Sequence, residues 1–217
     1  MIRVLVVDDE ALIRSGFRHI LSAADGIEVV GAVPGGEAVQ TVREERPDVV
    51  LLDIRMPDVD GLTVLSEIRA LPAPPVVAML TTFDTDEYIA AALRSGAAGF
   101  LLKDTDPEQM GHLVRTLAGG GVVLSSKVTR TVVDGYLDRG VRDPAARSVA
   151  RLTARERDVL LLLADGLSNA DIGTRVHLST GTVKDHVSAI LAKLEVGSRV
   201  QAAIVAERAG LLGPGTP

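Results

Sequence analysis

Through the first 120 residues, short apolar runs alternate with stretches of helical periodicity. Ile2–Val7, Glu28–Val33, Asp48–Leu52, Pro75–Leu80 and Ala98–Leu102 are nearly continuous in Val, Leu, Ile and Ala, which predicts strands buried on both faces. Between them Glu10–Ala23, Gly36–Glu45, Leu62–Ala70, Thr85–Ser95 and Pro107–Ala118 carry apolar residues at helical spacing. Strict alternation of strand and helix predicts an α/β domain, a (βα)5 doubly wound parallel sheet covered on both sides. In such sheets ligands bind beyond the carboxyl ends of the strands, so chemistry is expected there.

The texture changes after Gly119-Gly120-Gly121. Residues 121–149, charged between Asp138 and Arg147 and interrupted by Gly140 and Pro144, read as a linker with room for one helix. From residue 150 the pattern is of short helices without strands: Thr153–Asp165, Asn169–Val176, Thr180–Leu194 and Ser198–Ala209. This predicts a small all-α four-helix domain over 150–212, followed by a frayed tail at 213–217.

Charge separates the two halves. Residues 1–125 hold 10 Lys and Arg against 19 Asp and Glu, a balance of −9, whereas 126–217 hold 13 against 10, a balance of +3. The acidic part suits cations and repels DNA; the later part is the plausible place for contact with a phosphate backbone. With no cysteine, disulfides, thiol catalysis and cysteine-ligated zinc are excluded, and four scattered histidines give no metal-binding spacing. An aromatic content of 2% argues against stacking single-stranded bases. No apolar run approaches the roughly 20 residues of a membrane span. The acidic Asp8-Asp9 break in the opening apolar run is unlike a signal peptide, so a cytoplasmic protein without membrane partners is expected.

Five strand ends supply a coherent set of groups. Asp8 and Asp9 follow the first strand, Asp53 the third, Thr81 the fourth and Lys103 the fifth. Each aspartate alone reads equally well as a turn former or helix cap. Converging at one sheet edge, three carboxylates call for a hard divalent cation such as Mg²⁺, while a hydroxyl and an ammonium are suited to gripping phosphoryl oxygens. Asp58 and Asp60 read as loop residues. The glycines of Gly31–Gly36 follow the second strand and lack the GxGxxG spacing, which excludes a dinucleotide loop.

Val-Val-Asp-Asp-Glu, Leu-Leu-Asp-Ile-Arg-Met-Pro-Asp-Val-Asp-Gly, Leu-Thr-Thr-Phe-Asp and Gly-Ala-Ala-Gly-Phe-Leu-Leu-Lys-Asp resemble, in order, the receiver domains of two-component response regulators, over residues 1–120. The resemblance implies a flavodoxin-like fold, Asp53 as phosphoacceptor, and Mg²⁺ held by Asp8, Asp9, Asp53 and the Arg55 backbone carbonyl. It also implies Lys103 bridging to the phosphoryl group and Thr81 with Phe100 as a switch pair. Phe100 fits plain core equally well, since it lacks the hydroxyl with which a tyrosine would hold either position. Where many receivers carry proline after the lysine this chain has Asp104, as members resembling the NarL/FixJ subgroup do.

In Thr180–Leu194, Val183, Val187, Ile190, Leu191 and Leu194 form one apolar stripe, with Lys184 on a flank and Asp185, Ser188 and Ala192 opposite. Ser179 is a suitable N-cap, and a four-residue turn to the preceding helix completes a helix-turn-helix pattern. Pattern alone equally allows a helical protein-interaction module. Leu-Thr-Ala-Arg-Glu-Arg-Asp-Val-Leu, Gly-Leu-Ser-Asn-Ala-Asp-Ile and Thr-Val-Lys-Asp-His-Val resemble the LuxR-type DNA-binding domain over residues 150–212. That implies a helix in the major groove, with Lys184 on base or phosphate, His186 and Lys193 on phosphates of the other flank, and Thr182 positioning the backbone. Asp185 and Ser188 face the bases, where Asp185 would repel phosphate and accept from cytosine N4; otherwise it is a solvated helix residue. Gly173 stands where the family commonly has alanine and allows a close helix crossing. On the last helix Val200, Ala203 and Ile204 are expected inward, leaving Ala202, Ala206 and Ala209 either to pair with a second copy or as neutral filler.

Together these features imply a phosphorylation-dependent DNA-binding transcriptional regulator. Its partners would be a sensor histidine kinase, double-stranded promoter DNA, RNA polymerase at the promoter, and a second copy in a homodimer formed on phosphorylation. No separate enzyme is implied beyond the receiver's part in its own phosphorylation and dephosphorylation. An aspartyl-phosphate hydrolase would want a second acid two residues after its nucleophile, where this chain has Arg55. The other alternative is a DNA-binding or protein-interaction regulator that works without phosphorylation.

Overall fold

The computed structural model describes residues 1–82, 86–124, 128, 145 and 148–212. Much of the expected linker and the whole expected tail therefore lie outside the described residues. The chain divides into two compact units, Met1–Ala118 with Val123–Thr131, and Gly119–Val122 with Val132–Pro217.

The first unit is a five-stranded parallel sheet in the order β2-β1-β3-β4-β5, formed by β1 (Ile2–Val7), β2 (Ile27–Val33), β3 (Val49–Asp53), β4 (Val76–Thr81) and β5 (Gly99–Leu102). Helices α1 (Ala11–Ser22), α2 (Ala38–Glu45), α3 (Gly61–Arg69), α4 (Asp86–Arg94) and α5 (Pro107–Ala118) connect and follow them. Alternate strand residues divide the core in two. Val4, Val6, Val49, Leu51, Ala78, Leu80 and Leu101 pack with Phe17 and Leu21 of α1 and Met110, Val114 and Leu117 of α5. Their neighbours Leu5, Leu52 and Met79 are equally buried, facing the other way, toward the side on which α3 lies between α2 and α4. Burial on both faces is why these strands read as continuous apolar runs.

Two strands run one residue further than the apolar pattern predicts, and the added residues are chemical ones. Asp53 pairs with Leu80 and Thr81 with Leu102, so both are held in the ladder rather than in the loops beyond it. Beyond β5, Val123 returns alongside Gly99, and its carbonyl accepts from the Phe100 amide at 2.7 Å. The expected helix at Gly36–Glu45 begins with a tight 3-10 turn at Gly35–Glu37.

The second unit contains α6 (Ala154–Ala164), α7 (Asn169–Val176), α8 (Thr180–Leu194) and α9 (Arg199–Arg208). Each starts at a residue able to close its first turn. Thr153 and Ser168 form capping boxes with Glu156 and Asp171, and the hydroxyls of Ser179 and Ser198 accept from Thr182 and Gln201. Leu152, Val159, Leu160, Leu163, Ile172, Val183, Ile190 and Leu194 form the core. Ala202 and Ala206 belong to that core as well, fully buried, which corrects the expectation that they offer a pairing face. As α9 packs on α6, a small residue is what close helix contact requires. Val200 and Ile204 are buried as expected, Ala203 and Ala209 half-buried.

Candidate functional site

At the carboxyl edge of the sheet the ladder brings the expected groups of the first unit together. Parallel pairing of β1 with β3 sets Val7 against Leu52, so Asp8 and Asp53 leave adjacent strands at the same height. Both are buried, Asp9 is half-buried, and oxygens of the three carboxylates lie within 4.8 Å of one another. Lys103 follows β5, anchored by its amide to the Thr81 carbonyl at 2.8 Å, and its Nζ lies 2.8 Å from Asp8 Oδ2 and 3.0 Å from Asp53 Oδ2. Asp53 Oδ1 receives the Arg55 amide at 3.4 Å, and Asp8 Oδ1 the Glu10 amide at 2.9 Å. Asp53, Thr81 and Lys103 line a cavity of about 160 Å³, together with Glu10, Arg55 and Thr82.

The electrostatics of this edge are unbalanced. Burial raises the Asp53 carboxyl above its usual range, opposed by the hydrogen bond from Lys103 and reinforced by the charge of Asp8. Burial alone would lower the Lys103 ammonium, but its contacts with Asp8 and Asp53 outweigh that and hold it above its ordinary value. One ammonium thus faces three carboxylates, and Asp8 Oδ2, close to Lys103 Nζ, has no aligned hydrogen-bond donor. An all-oxygen set with excess negative charge and an incompletely satisfied buried oxygen fits a hard divalent cation such as Mg²⁺.

Several neighbours are not evident from patterning alone. Gly61, the first residue of α3, admits no side chain: a Cβ there would lie 2.2 Å from the Asp53 carbonyl oxygen. Its amide donates to the Ile54 carbonyl at 3.0 Å, so α3 starts directly against the backbone of Asp53, with Asp60 as its cap. The glycine at the end of Met-Pro-Asp-Val-Asp-Gly was the available signal. The Arg55 guanidinium lies 5.4 Å from the centre of the Tyr88 ring on α4, a pairing between loop and helix that sequence spacing does not announce. Phe100 is 1% exposed on β5 opposite Met79, within the core, and Thr81 is buried on the neighbouring strand.

In the second unit both helices keep their expected limits, and the turn between α7 and α8 is His177-Leu178-Ser179, so the expected four-residue turn is one residue too long. It is tight because His177 takes a left-handed conformation at φ 56° and the Leu178 amide donates to the Gly173 carbonyl at 2.9 Å. A Cβ on Gly173 would approach the Leu178 carbonyl oxygen to 2.6 Å, which explains a glycine there despite its helix cost. Helix α8 buries Val183, Ile190 and Leu194 and exposes Thr182, Lys184, Asp185 and Ser188, with His186 half-buried. The Thr182 hydroxyl pairs with that of Ser179 at 2.9 Å, and the Ser188 hydroxyl donates to the Lys184 carbonyl at 2.9 Å.

Lys193 is the exception among the expected phosphate contacts. Its Nζ lies 2.7 Å from both carboxylate oxygens of the buried Glu156, which also accepts from the Thr153 amide at 2.8 Å. The hydrogen bond from Lys193, then that from Thr153, holds the Glu156 carboxyl below its usual range. Lys193 is therefore a clamp between α8 and the start of α6, its half-exposed ammonium paired with a buried carboxylate. Arg199 is a buried cation, donating to the Leu167 carbonyl at 2.6 Å and lowered by burial to about 10.

Residues 4–115 match the response regulator receiver domain family, and residues 150–206 the bacterial regulatory proteins of the luxR family. The chain is 38% identical to the uncharacterized transcriptional regulatory protein YhcZ of Bacillus subtilis, over 97% of this chain and 98% of the relative. It is 36% identical to the nitrate/nitrite response regulator protein NarL of Escherichia coli over 93% of each. Among solved structures it is similar to response regulator ChrA of a heme-sensing two-component system, with 33% identity, a TM-score of 0.52, and coverage of 97% of this chain and 98% of that one. No helix among the described residues is long and apolar enough to cross a membrane. The chain belongs to the two-component response regulators that join a receiver domain to a LuxR-type helix-turn-helix DNA-binding domain, and it is a transcription regulator, not an enzyme.

Proposed function

We propose that Asp53 accepts a phosphoryl group from the phosphohistidine of a sensor kinase, and that the modified receiver, over 1–120, promotes dimerisation and promoter binding by the domain at 150–212, across the linker at 121–149. The observation that carries this reading is Asp53 at the last ladder position of β3, with Lys103 Nζ at 3.0 Å and Asp8 and Asp9 close by. A carboxylate oxygen of Asp53 attacks phosphorus; the new P–O bond forms as the P–N bond breaks, and the imidazole leaves with the bonding electron pair. Mg²⁺, held by Asp8, Asp9, Asp53 and the Arg55 carbonyl, would screen the charge that gathers on the phosphoryl oxygens. Lys103 exchanges its contact with Asp53 for one with the phosphoryl group, and the buried Thr81 hydroxyl turns toward the added acceptors. Movement of Thr81 changes the space beside Phe100, which passes the event toward the β5 edge as a switch.

In the second unit Lys184, Asp185, Ser188, His186 and Thr182 form the DNA-facing set, with Lys184 and His186 on opposite flanks of α8. A C2 dimer would present two such helices to paired half-sites near RNA polymerase, through an interface other than Ala202 and Ala206. Intact-mass measurement after incubation with a phosphorylated kinase or a small phosphodonor tests the first step. The account expects one acid-stable, base-labile phosphoryl adduct on the wild-type chain and none on Asp53→Asn; an adduct of equal yield on that variant would overturn it.

A further inference from the structure

The outward face of α8 is built around one carboxylate. With Val183, Ile190 and Leu194 buried, a turn of ~100° per residue sets Gly181, Asp185, Ser188 and Ala192 on the opposite side. Asp185 is the one side chain there longer than serine, and it stands near the middle of the exposed ridge. Hydroxyls around it are already engaged within the helix, Ser188 with the Lys184 carbonyl and Thr182 with Ser179. Among the described residues neither the Lys184 ammonium nor the Asp185 carboxylate has a hydrogen-bond or ion-pair partner, although both side chains are exposed.

Gly181 is the second observation. Glycine is a poor helix residue, tolerated where packing demands it, as at Gly173. At Gly181 nothing among the described residues makes that demand. Its φ is ordinary, and among the described residues a Cβ would meet Ser179 Oγ alone, at 3.7 Å, normal van der Waals contact. The missing side chain lies one helical turn before Asp185 on the same outward face, where it leaves room for a body outside the chain.

We propose that Asp185 determines the DNA sequence this regulator selects, its carboxylate accepting a hydrogen bond from the N4 amino group of a cytosine in the major groove, with Gly181 letting α8 seat deeply enough for so short a side chain to reach. This rests on the DNA-binding reading and adds the base it selects. An ionised carboxylate only accepts. Major-groove edges offer it donors at cytosine N4 and adenine N6, whereas guanine N7 and O6 and thymine O4 are acceptors and repel it. Adenine also places its N7 acceptor beside N6, against the second carboxylate oxygen; cytosine has a C–H at the corresponding place. The same negative charge disfavours loose contact with phosphates, so Asp185 lowers non-specific binding while Lys184, on the flank, supplies attraction.

Parallel selections from a random duplex library test this, using the full chain with beryllium fluoride and Mg²⁺, as wild type, Asp185→Ala, Asp185→Asn and Gly181→Ala. Wild type is expected to enrich cytosine at one position of each half-site, with a preference between ~5-fold and ~100-fold in follow-up competition with single-base changes. Asp185→Ala should lose the preference at that position alone and bind non-specific duplex more tightly; Asp185→Asn should move it to adenine. Gly181→Ala should weaken the same preference while leaving the melting temperature equal or higher. Retention of the same cytosine, at unchanged strength, by Asp185→Ala would overturn the proposal and leave DNA binding intact. Failure of the wild-type chain to enrich any sequence would defeat the DNA-binding reading itself.

Discussion

At the edge of the receiver sheet three carboxylates and one ammonium are crowded together and largely buried, whereas on α8 the charged groups of Lys184 and Asp185 stand exposed with no partner among the described residues. The first arrangement carries an excess of negative charge that a bound cation would relieve and a phosphoryl group on Asp53 would increase, so its charge balance is sensitive to both. The second has fixed chemistry directed at an outside partner. On the proposed function, a phosphoryl group on Asp53 has no need to alter the chemistry of that α8 face; it suffices to alter how often the face meets DNA, singly or in pairs.

The largest effect is expected at Lys103. In Lys103→Met the buried carboxylates lose their ammonium, and phosphorylation should fall by orders of magnitude, read by intact mass. Receiver stability should fall by ~3 kcal/mol without Mg²⁺, in urea titration, and recover in part when Mg²⁺ is added. Gly61→Ala forces a Cβ against the Asp53 carbonyl and should cost about 3 kcal/mol in the same titration, with slowed phosphorylation because the nucleophile's backbone must shift. Retention of wild-type stability would show that α3 has another way to start.

In the second unit the internal clamp separates structure from reading. Glu156→Gln should lower stability by about 2 kcal/mol, since a charge-assisted pair is lost. Because the folded Glu156 carboxyl is held below its ordinary 4.5, its contribution is fully present above that pH and disappears as pH falls through the lowered value. Thermal melts of wild type and Glu156→Gln should therefore converge in acid. Asp53 has the opposite sign. Its raised value means the unfolded chain ionises first, so a destabilising contribution is absent in acid and grows as pH rises from 3.8 through the raised value. Asp53→Asn should accordingly melt above wild type at neutral pH without Mg²⁺, and the gap should narrow with it. The smallest effect is at His177, whose left-handed conformation a glycine adopts without strain; His177→Gly should stabilise by ~1 kcal/mol.

What could be read from sequence follows from how local each signal is. Strands buried on both faces declare themselves as apolar runs, and α7 and α8 are bounded by their own caps, so their limits at Asn169–Val176 and Thr180–Leu194 match the sequence reading. Pattern stops one residue early at Asp53 and Thr81 because polar residues inside a ladder look like loop residues. The alanines of α9 misled, and the Glu156 partner of Lys193 went unseen, for a different reason. A lysine on a helix flank and an alanine stripe have the same sequence signature whether they face DNA, a second copy or a neighbouring helix. Only the position of Glu156, 37 residues earlier, and of α6 decides. Gly61 and the Arg55–Tyr88 pairing likewise depend on what lies across the fold.

Control of DNA binding by the state of Asp53 is read out by selecting bound sequences from a random duplex library with and without beryllium fluoride plus Mg²⁺. The account predicts enrichment of an inverted repeat chiefly with the mimic, and the loss of that difference in Asp53→Asn. Equal enrichment of the same sequence in both states of the wild-type chain would contradict it.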